Sequence, residues 1–175
     1  MEYFILSQDD RIMMPSLPSD MIKALPSQLM RRYKPRELDN ALAFNITSKP
    51  GVEYPAIMER TIFCLVNTVV KELFSKYDRN IVFTPVILND VQKGKQHLYW
   101  VMDLPGVECL APETEFHRDR SLKKIVLDMG KIRHKPIFKI GGTIAERLVI
   151  RLDVAESLLR RDTVYGIELT PVITN

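Results

Sequence analysis

Apolar and polar positions along most of this chain follow the rhythm of strands. Residues 2–6 (EYFIL) are aromatic and β-branched and predict a short strand. ALAFNI (41–46), IVFTPVIL (81–88), HLYWVMDL (97–104), LKKIVLDM (122–129), PIFKI (136–140), ERLVIRL (146–152) and IELTPVIT (167–174) have the same character. Each has the length and the residue types that suit a pleated, half-buried surface.

Residues 56–77 differ. At about 100° per residue, Ile62, Phe63, Leu65, Val66, Val69, Val70, Leu73, Phe74 and Tyr77 share one half of a helical wheel. Arg60, Thr61, Cys64, Asn67, Thr68, Lys71 and Ser75 fill the other half, which places Cys64 on the wet side, open to thiol reagents. Further on, Asp153 with Glu156 three residues later predicts the N-cap of a short helix running to about Asp162. The pattern as a whole predicts an α+β fold: a mostly antiparallel sheet, one long amphipathic helix and one short C-terminal helix. Residues 1–175 form a single domain in this reading, with 8–55 Pro-rich and irregular and 56–175 forming a helix-plus-sheet core. Pro15, Pro18, Pro26, Pro35, Pro50 and Pro55 fall in the first of these parts, out of 11 prolines in all, so regular elements there should be short.

One internal echo stands out. IVFTPVIL and IELTPVIT share Ile, Thr, Pro, Val and Ile in register, and each follows a helical stretch. Asn80 aligns with Gly166, both suited to a left-handed residue closing a helix. The echo predicts two helix-then-strand units in comparable positions, with Pro85 and Pro171 at sheet edges or bulges.

Composition adds mostly exclusions. The chain is 46% apolar and 27% charged, with 25 basic against 22 acidic side chains and a net charge of +3. That balance singles out neither nucleic acid nor a membrane surface as a partner. Cys64 and Cys109 have no metal-ligand spacing and are expected as reduced thiols. The apolar run in MEYFILSQDD is too short for a signal-peptide core, so a cytoplasmic location is expected.

Candidate chemistry is sparse. Gly141-Gly142 lacks the third glycine and the following helix of a dinucleotide loop, and reads as a hairpin turn. In CLAPETEFHRDR, an extended backbone would send Glu113, Glu115 and His117 to one side, where they could hold a divalent metal for hydrolysis or group transfer. The plainer reading is a solvated loop. Arg31-Arg32-Tyr33-Lys34-Pro35-Arg36 could contact phosphates and stack on a base, or meet an acidic protein surface. His97 and His134 have no partner pattern and are expected at the surface or in turns. No catalytic motif emerges, which favours binding over catalysis.

The order and spacing of the later segments carry a resemblance. IVFTPVILND, the aromatic strand at Leu98-Tyr99-Trp100-Val101, Val107-Glu108-Cys109-Leu110-Ala111, KKIVLDM, PIFKI and a helix leading to Gly166-Ile167-Glu168-Leu169 follow a bacterial pattern. The chain resembles the immunity proteins of polymorphic toxin systems grouped as immunity protein family eleven. It departs from them at Ala111 and at Arg151-Leu152, where Asp153 can take over helix capping. The resemblance implies a cytoplasmic antidote, not an enzyme and without a cofactor, that binds the C-terminal domain of a cognate toxin. Contact residues do not carry over from the family. Physical reasoning offers Glu113, Glu115 and Asp119 as an acidic run, and Arg32, Tyr33 and Arg36 as basic and aromatic anchors.

Overall fold

The computed structural model describes residues 1–21, 23, 41–59, 63–144 and 146–175. Its architecture is α+β and rich in sheet, but the strands form two large sheets rather than one. The first contains β2 (Leu42–Ile46), β3 (Ile57–Glu59), β4 (Cys64–Asn67), β5 (Val82–Asp90) and β6 (Lys95–Asp103), in the order β2-β5-β6-β4-β3. The second contains β1 (Tyr3–Gln8), β7 (Gly106–Val107), β10 (Val126–Leu127), β11 (Ile137–Ile140), β12 (Leu148–Arg151) and β13 (Ile167–Thr174), in the order β10-β13-β1-β12-β11-β7. A separate ribbon pairs β8 (Glu115–Phe116) with β9 (Leu122–Lys124). Three helices are named here: α1 (Thr68–Tyr77), the single turn α2 (Met129–Ile132) and α3 (Leu152–Leu159).

The two sheets repeat one plan. In each, a hairpin (β3–β4 or β11–β12) leads through a helix (α1 or α3) to a long strand (β5 or β13). That strand is separated from the hairpin by an antiparallel strand, β6 in one sheet and β1 in the other. A parallel strand, β2 or β10, flanks β5 or β13 just beyond its proline. The register agrees as well. Pro85, Trp100, Val66 and Ile57 lie side by side across the first sheet, as Pro171, Phe4, Ile150 and Ile137 do across the second. The echo in the sequence is therefore an echo in the topology, with one permutation: β6 follows β5 in the chain, whereas its counterpart β1 comes first. Both prolines sit where the flanking parallel strand has not yet begun, so neither costs a ladder hydrogen bond on that side.

One core joins the two units. Ile57, Val66 and Met102 of the first sheet meet Leu6, Ile137, Leu148 and Ile150 of the second, with Val70, Leu73 and Phe74 of α1 and Val154, Ala155 and Leu158 of α3 between them. The Tyr77 hydroxyl ties the helices together, donating to Asp153 O at 3.0 Å and lying 2.7 Å from Ser157 Oγ. The outer face of each sheet has its own cover. Met14, Leu17, Met21 and Tyr54 lie over the first. Cys109, Leu110, Ile125, Met129 and Ile132 lie over the second.

The long helix expected over 56–77 is not formed. That stretch contains the β3–β4 hairpin and then a helix of 10 residues. The reason is burial on both faces. Ile57 and Val66 point into the shared core, while Met58 and Leu65 point into the outer one. A strand covered on both faces reads as a continuous apolar run, which a helical wheel also accommodates. The helix begins where Asn67 caps it, its side chain accepting from Val70 N at 3.0 Å. Losing such a cap typically costs about 1 kcal/mol. Cys64, expected on a wet face, is buried in the shared core at 7% exposure.

The second helix also starts differently from expectation. Arg151, not Asp153, is its N-cap residue, and Asp153 lies in the first turn. The Asp153 carboxylate accepts twice from the Arg151 guanidinium, at 2.7 Å each, which holds its carboxyl below the usual range. An acid in the first turn still favours the helix through its dipole. Gly166 is left-handed, with φ 70°, but Asn80 is not among the left-handed residues. Its turn is closed by Asp78, whose carboxylate accepts from Asn80 N and Nδ2 at 2.9 Å. Gly141-Gly142 does turn β11 into β12. A Cβ on Gly106 would lie 2.8 Å from Gly141 Cα, so these two glycines let β7 and β11 approach closely. Among the described residues, no helix is long and apolar enough to cross a membrane.

Candidate functional site

The charged segment 113–124 stands off the second sheet as the β8–β9 ribbon. Its base is fixed by Thr114, whose Oγ1 donates to Val126 O at 3.0 Å and accepts from Val126 N at 3.2 Å. Its tip is a tight turn: His117 N donates to Ser121 O at 2.8 Å and Arg120 N donates to His117 O at 3.0 Å. Arg120 takes a left-handed backbone, φ 65°, inside that turn. Phe116 is 49% exposed.

The acidic run sits on this ribbon, but its members are engaged separately. Glu115 accepts from Lys123 Nζ at 2.9 Å, and this hydrogen bond holds its carboxyl below the usual range. Asp119 accepts from Ser121 Oγ at 2.6 Å and Ser121 N at 3.0 Å, which lowers it as well. Glu113 accepts from Asn175 Nδ2 at 3.3 Å. The expected projection of Glu113, Glu115 and His117 to one side is not observed. β8 spans only Glu115–Phe116, with a register shift between them, so the strand alternation does not reach Glu113 or His117. Among the described residues, no three His, Cys, Asp or Glu side chains stand together as a metal site. Arg32, Tyr33 and Arg36 lie outside the described residues, as does the rest of the 31–36 cluster.

Sequence reasoning missed a cleft beside the ribbon. The tip of β8–β9 and the turn between β11 and β12 enclose about 200 Å³, lined by His117, Arg120, Ser121, Leu122, Thr143, Ile144 and Arg147. Neither guanidinium forms an ion pair with a carboxylate of the described residues. Ile144 is 67% exposed at its rim. The two arginines lie far apart in sequence, and only the β11–β12 turn brings them together.

Sequence reasoning also missed a buried polar cluster at the far end of the β5–β6 hairpin. Asp90 is 1% exposed and accepts from Ser48 Oγ, from Tyr54 Oη at 2.7 Å and from Lys93 N at 3.2 Å. Burial pushes its carboxyl up, but the hydrogen bonds from Ser48, Tyr54 and Lys93 N outweigh this and hold it down at about 2. Tyr54 is pushed up to about 12 by burial and by the same bond to Asp90. Its ring stacks on His97 with centroids 3.5 Å apart and 8° between planes. His97, expected at the surface or in a turn, is a half-buried residue of β6. The Asp90 carboxylate is satisfied from within the cluster, whereas His97 Nε2 is buried without a hydrogen-bond partner. The Ser48 and Tyr54 bonds pin the segment 47–55 to the sheet.

No family model matches the chain, and no curated protein or solved structure matches it significantly.

Proposed function

We propose that the chain is an antidote: a cytoplasmic immunity protein that binds the C-terminal domain of a cognate bacterial toxin stoichiometrically and blocks it. The observation that carries this reading is the β8–β9 ribbon, which holds a half-exposed aromatic, Phe116, among Glu115, His117, Arg118, Asp119 and Arg120. Aromatic and arginine side chains in a polar rim are what tight protein contacts use as anchors. The Glu115–Lys123 pair is solvent-exposed, and such pairs are weak and salt-screened, so either charge can be redirected to a partner. Support also comes from the order and spacing of the sequence segments after residue 80, the basis of the resemblance to the immunity proteins.

In this reading Glu113, Glu115 and Asp119 contribute charge that guides encounter, with Arg32, Tyr33 and Arg36 as a second contact. Neither a metal nor a cofactor is required. The test is a tagged pull-down from the native cell, washed at high salt and read by mass spectrometry. The expected result is one stoichiometric partner with a variable C-terminal domain, whose separately expressed domain arrests growth unless this chain is co-expressed. Recovery of no such partner, or of nucleic acid that salt removes, overturns the reading.

A further inference from the structure

The cleft between the ribbon tip and the β11–β12 turn has an unusual lining. Its ionisable groups are His117, Arg120 and Arg147, with no carboxylate among them, and its apolar groups are Leu122 and Ile144. Phe116 pairs across the ribbon with Leu122 and extends the apolar rim. The carboxylates of the same segments are engaged elsewhere: Glu115 with Lys123, Asp119 with Ser121 and Glu146 with Lys139 at 3.5 Å.

We propose that this cleft is a docking point for a protein partner that presents a carboxylate side chain beside an apolar one. Arg120 and Arg147 grip the carboxylate, and Ile144, Leu122 and Phe116 meet the apolar neighbour. Three features select this occupant. The volume, about 200 Å³, admits one side chain and falls short of the roughly 300–1,000 Å³ typical of small-molecule sites. Neither guanidinium is tied up in a short ion pair with a carboxylate of the described residues, Arg147 acting only electrostatically on the Glu59 carboxyl. Each can therefore form a forked, charge-assisted bond to an added carboxylate. The exposed Ile144 at the rim gives a protein side chain apolar area to cover, and a net charge of only +3 over the chain supplies no broad basic surface for a nucleic acid.

The left-handed backbone of Arg120 fits this role, since the tight turn fixes the direction in which the side chain leaves the ribbon. The proposal deepens the antidote reading by naming a contact point, and depends on it only for the identity of the partner.

The test is an NMR titration of the full ¹⁵N-labelled chain with the peptide acetyl-Glu-Leu-Glu-amide. Controls are its Ser-for-Leu and Lys-for-Glu counterparts, inorganic phosphate and a short oligothymidylate. Amides of 117–122 and 142–147 should shift with the first peptide, more weakly with the Ser form and not with the Lys form. The double variant R120E/R147E, both positions being exposed, should keep its spectrum elsewhere and bind about tenfold more weakly or worse. Shifts confined to other surfaces, equal binding of the Lys peptide, or tighter binding of phosphate or oligothymidylate than of the acidic peptide each overturn the proposal. Because no toxin is used, failure here leaves the antidote reading standing, and failure of the pull-down leaves this result standing.

Discussion

Trp100 and Phe4 occupy the same place in two different sheets. Trp100 lies between Pro85 and Val66, and Phe4 between Pro171 and Ile150. Each therefore sits on the strand that separates a helix-capping residue, Asn67 or Arg151, from the proline-bearing strand that follows the helix.

The permuted order of the second unit gives a direct prediction. Tyr3 pairs with Val172, so the two ends of the chain lie side by side. A circular permutant in which a short Gly-Ser linker joins Asn175 to Met1, with a new opening between Gln8 and Asp9, gives β1 the place after β13 that β6 has after β5. It should unfold cooperatively, with a stability within about 2 kcal/mol of the parent, because only loop closure changes. Loss of a cooperative transition in urea would refute the shared plan.

Asp90 makes stability depend on acid. Its folded pKa, about 2, lies below its value in an unfolded chain, near 3.9. The stabilisation is therefore complete above about pH 4 and is lost as pH falls from there through about 2. Urea midpoints at pH 5, 4, 3 and 2 should show this loss in the parent. Asp90→Asn should be less stable at pH 5, because it replaces the acceptor of three donors, and its acid slope should be shallower. An unchanged slope would mean that the Ser48 and Tyr54 bonds contribute nothing.

Both thiols should be silent in the native protein. Burial pushes Cys64 up to about 12 and Cys109 up to about 11, and both are free and enclosed. At pH 8 the reactive thiolate is therefore scarce as well as hidden. Ellman's reagent should detect no fast thiol until guanidinium unfolds the chain, when two should appear. Rapid labelling of Cys64 in the native state would restore the wet face expected from the sequence.

Gly166 and Gly94 form a matched pair. Both are left-handed, with φ 70° and 60°. A Cβ on Gly94 meets nothing within 4 Å, whereas one on Gly166 would lie 2.4 Å from Pro55 Cβ and 2.9 Å from Ile12 Cδ1. Gly94→Ala should cost about 1–2 kcal/mol from the backbone alone. Gly166→Ala should cost distinctly more, since its Cβ would press on Pro55 and Ile12 where Tyr165 O accepts from Ala56 N across the seam between the sheets and Gly166 O accepts from Asp9 N at the end of the β1–β13 ladder. Equal urea midpoints would show that this seam is loosely packed.

Strands with β-branched alternation were legible: Tyr3–Gln8, Val82–Asp90, Lys95–Asp103 and Ile167–Thr174 all lie where the pattern places them. The β3–β4 hairpin was not, because Ile57-Met58 and Leu65-Val66 are buried on opposite faces and leave no polar phase to read. Asn67-Thr68 inside that run was the available signal, a helix cap where a continuous helix has no use for one. The site was less legible than the fold. Glu113, Glu115 and Asp119 declare themselves as a run, but the partners Lys123 and Ser121 are set by the ribbon's turn geometry and Asn175 by the pairing of β13 with β10. Arg120 and Arg147 meet only through tertiary structure. The same holds for Asp90 with Ser48 and Tyr54, which no local pattern links.

The position of β1 also sets a timetable. The strands of the first sheet are contiguous in the chain, so that sheet can assemble while synthesis is still under way. β1 leaves the ribosome before all of them, yet both its neighbours, β12 and β13, are made only after the first sheet. Until they emerge, Phe4 and Leu6 have no sheet to join, and the core shared by the two units stays half open. Pairing over so long a separation is slow and leaves apolar surface uncovered meanwhile. A nascent chain is thus a finished first sheet beside an unpaired strand until β12 and β13 have been made.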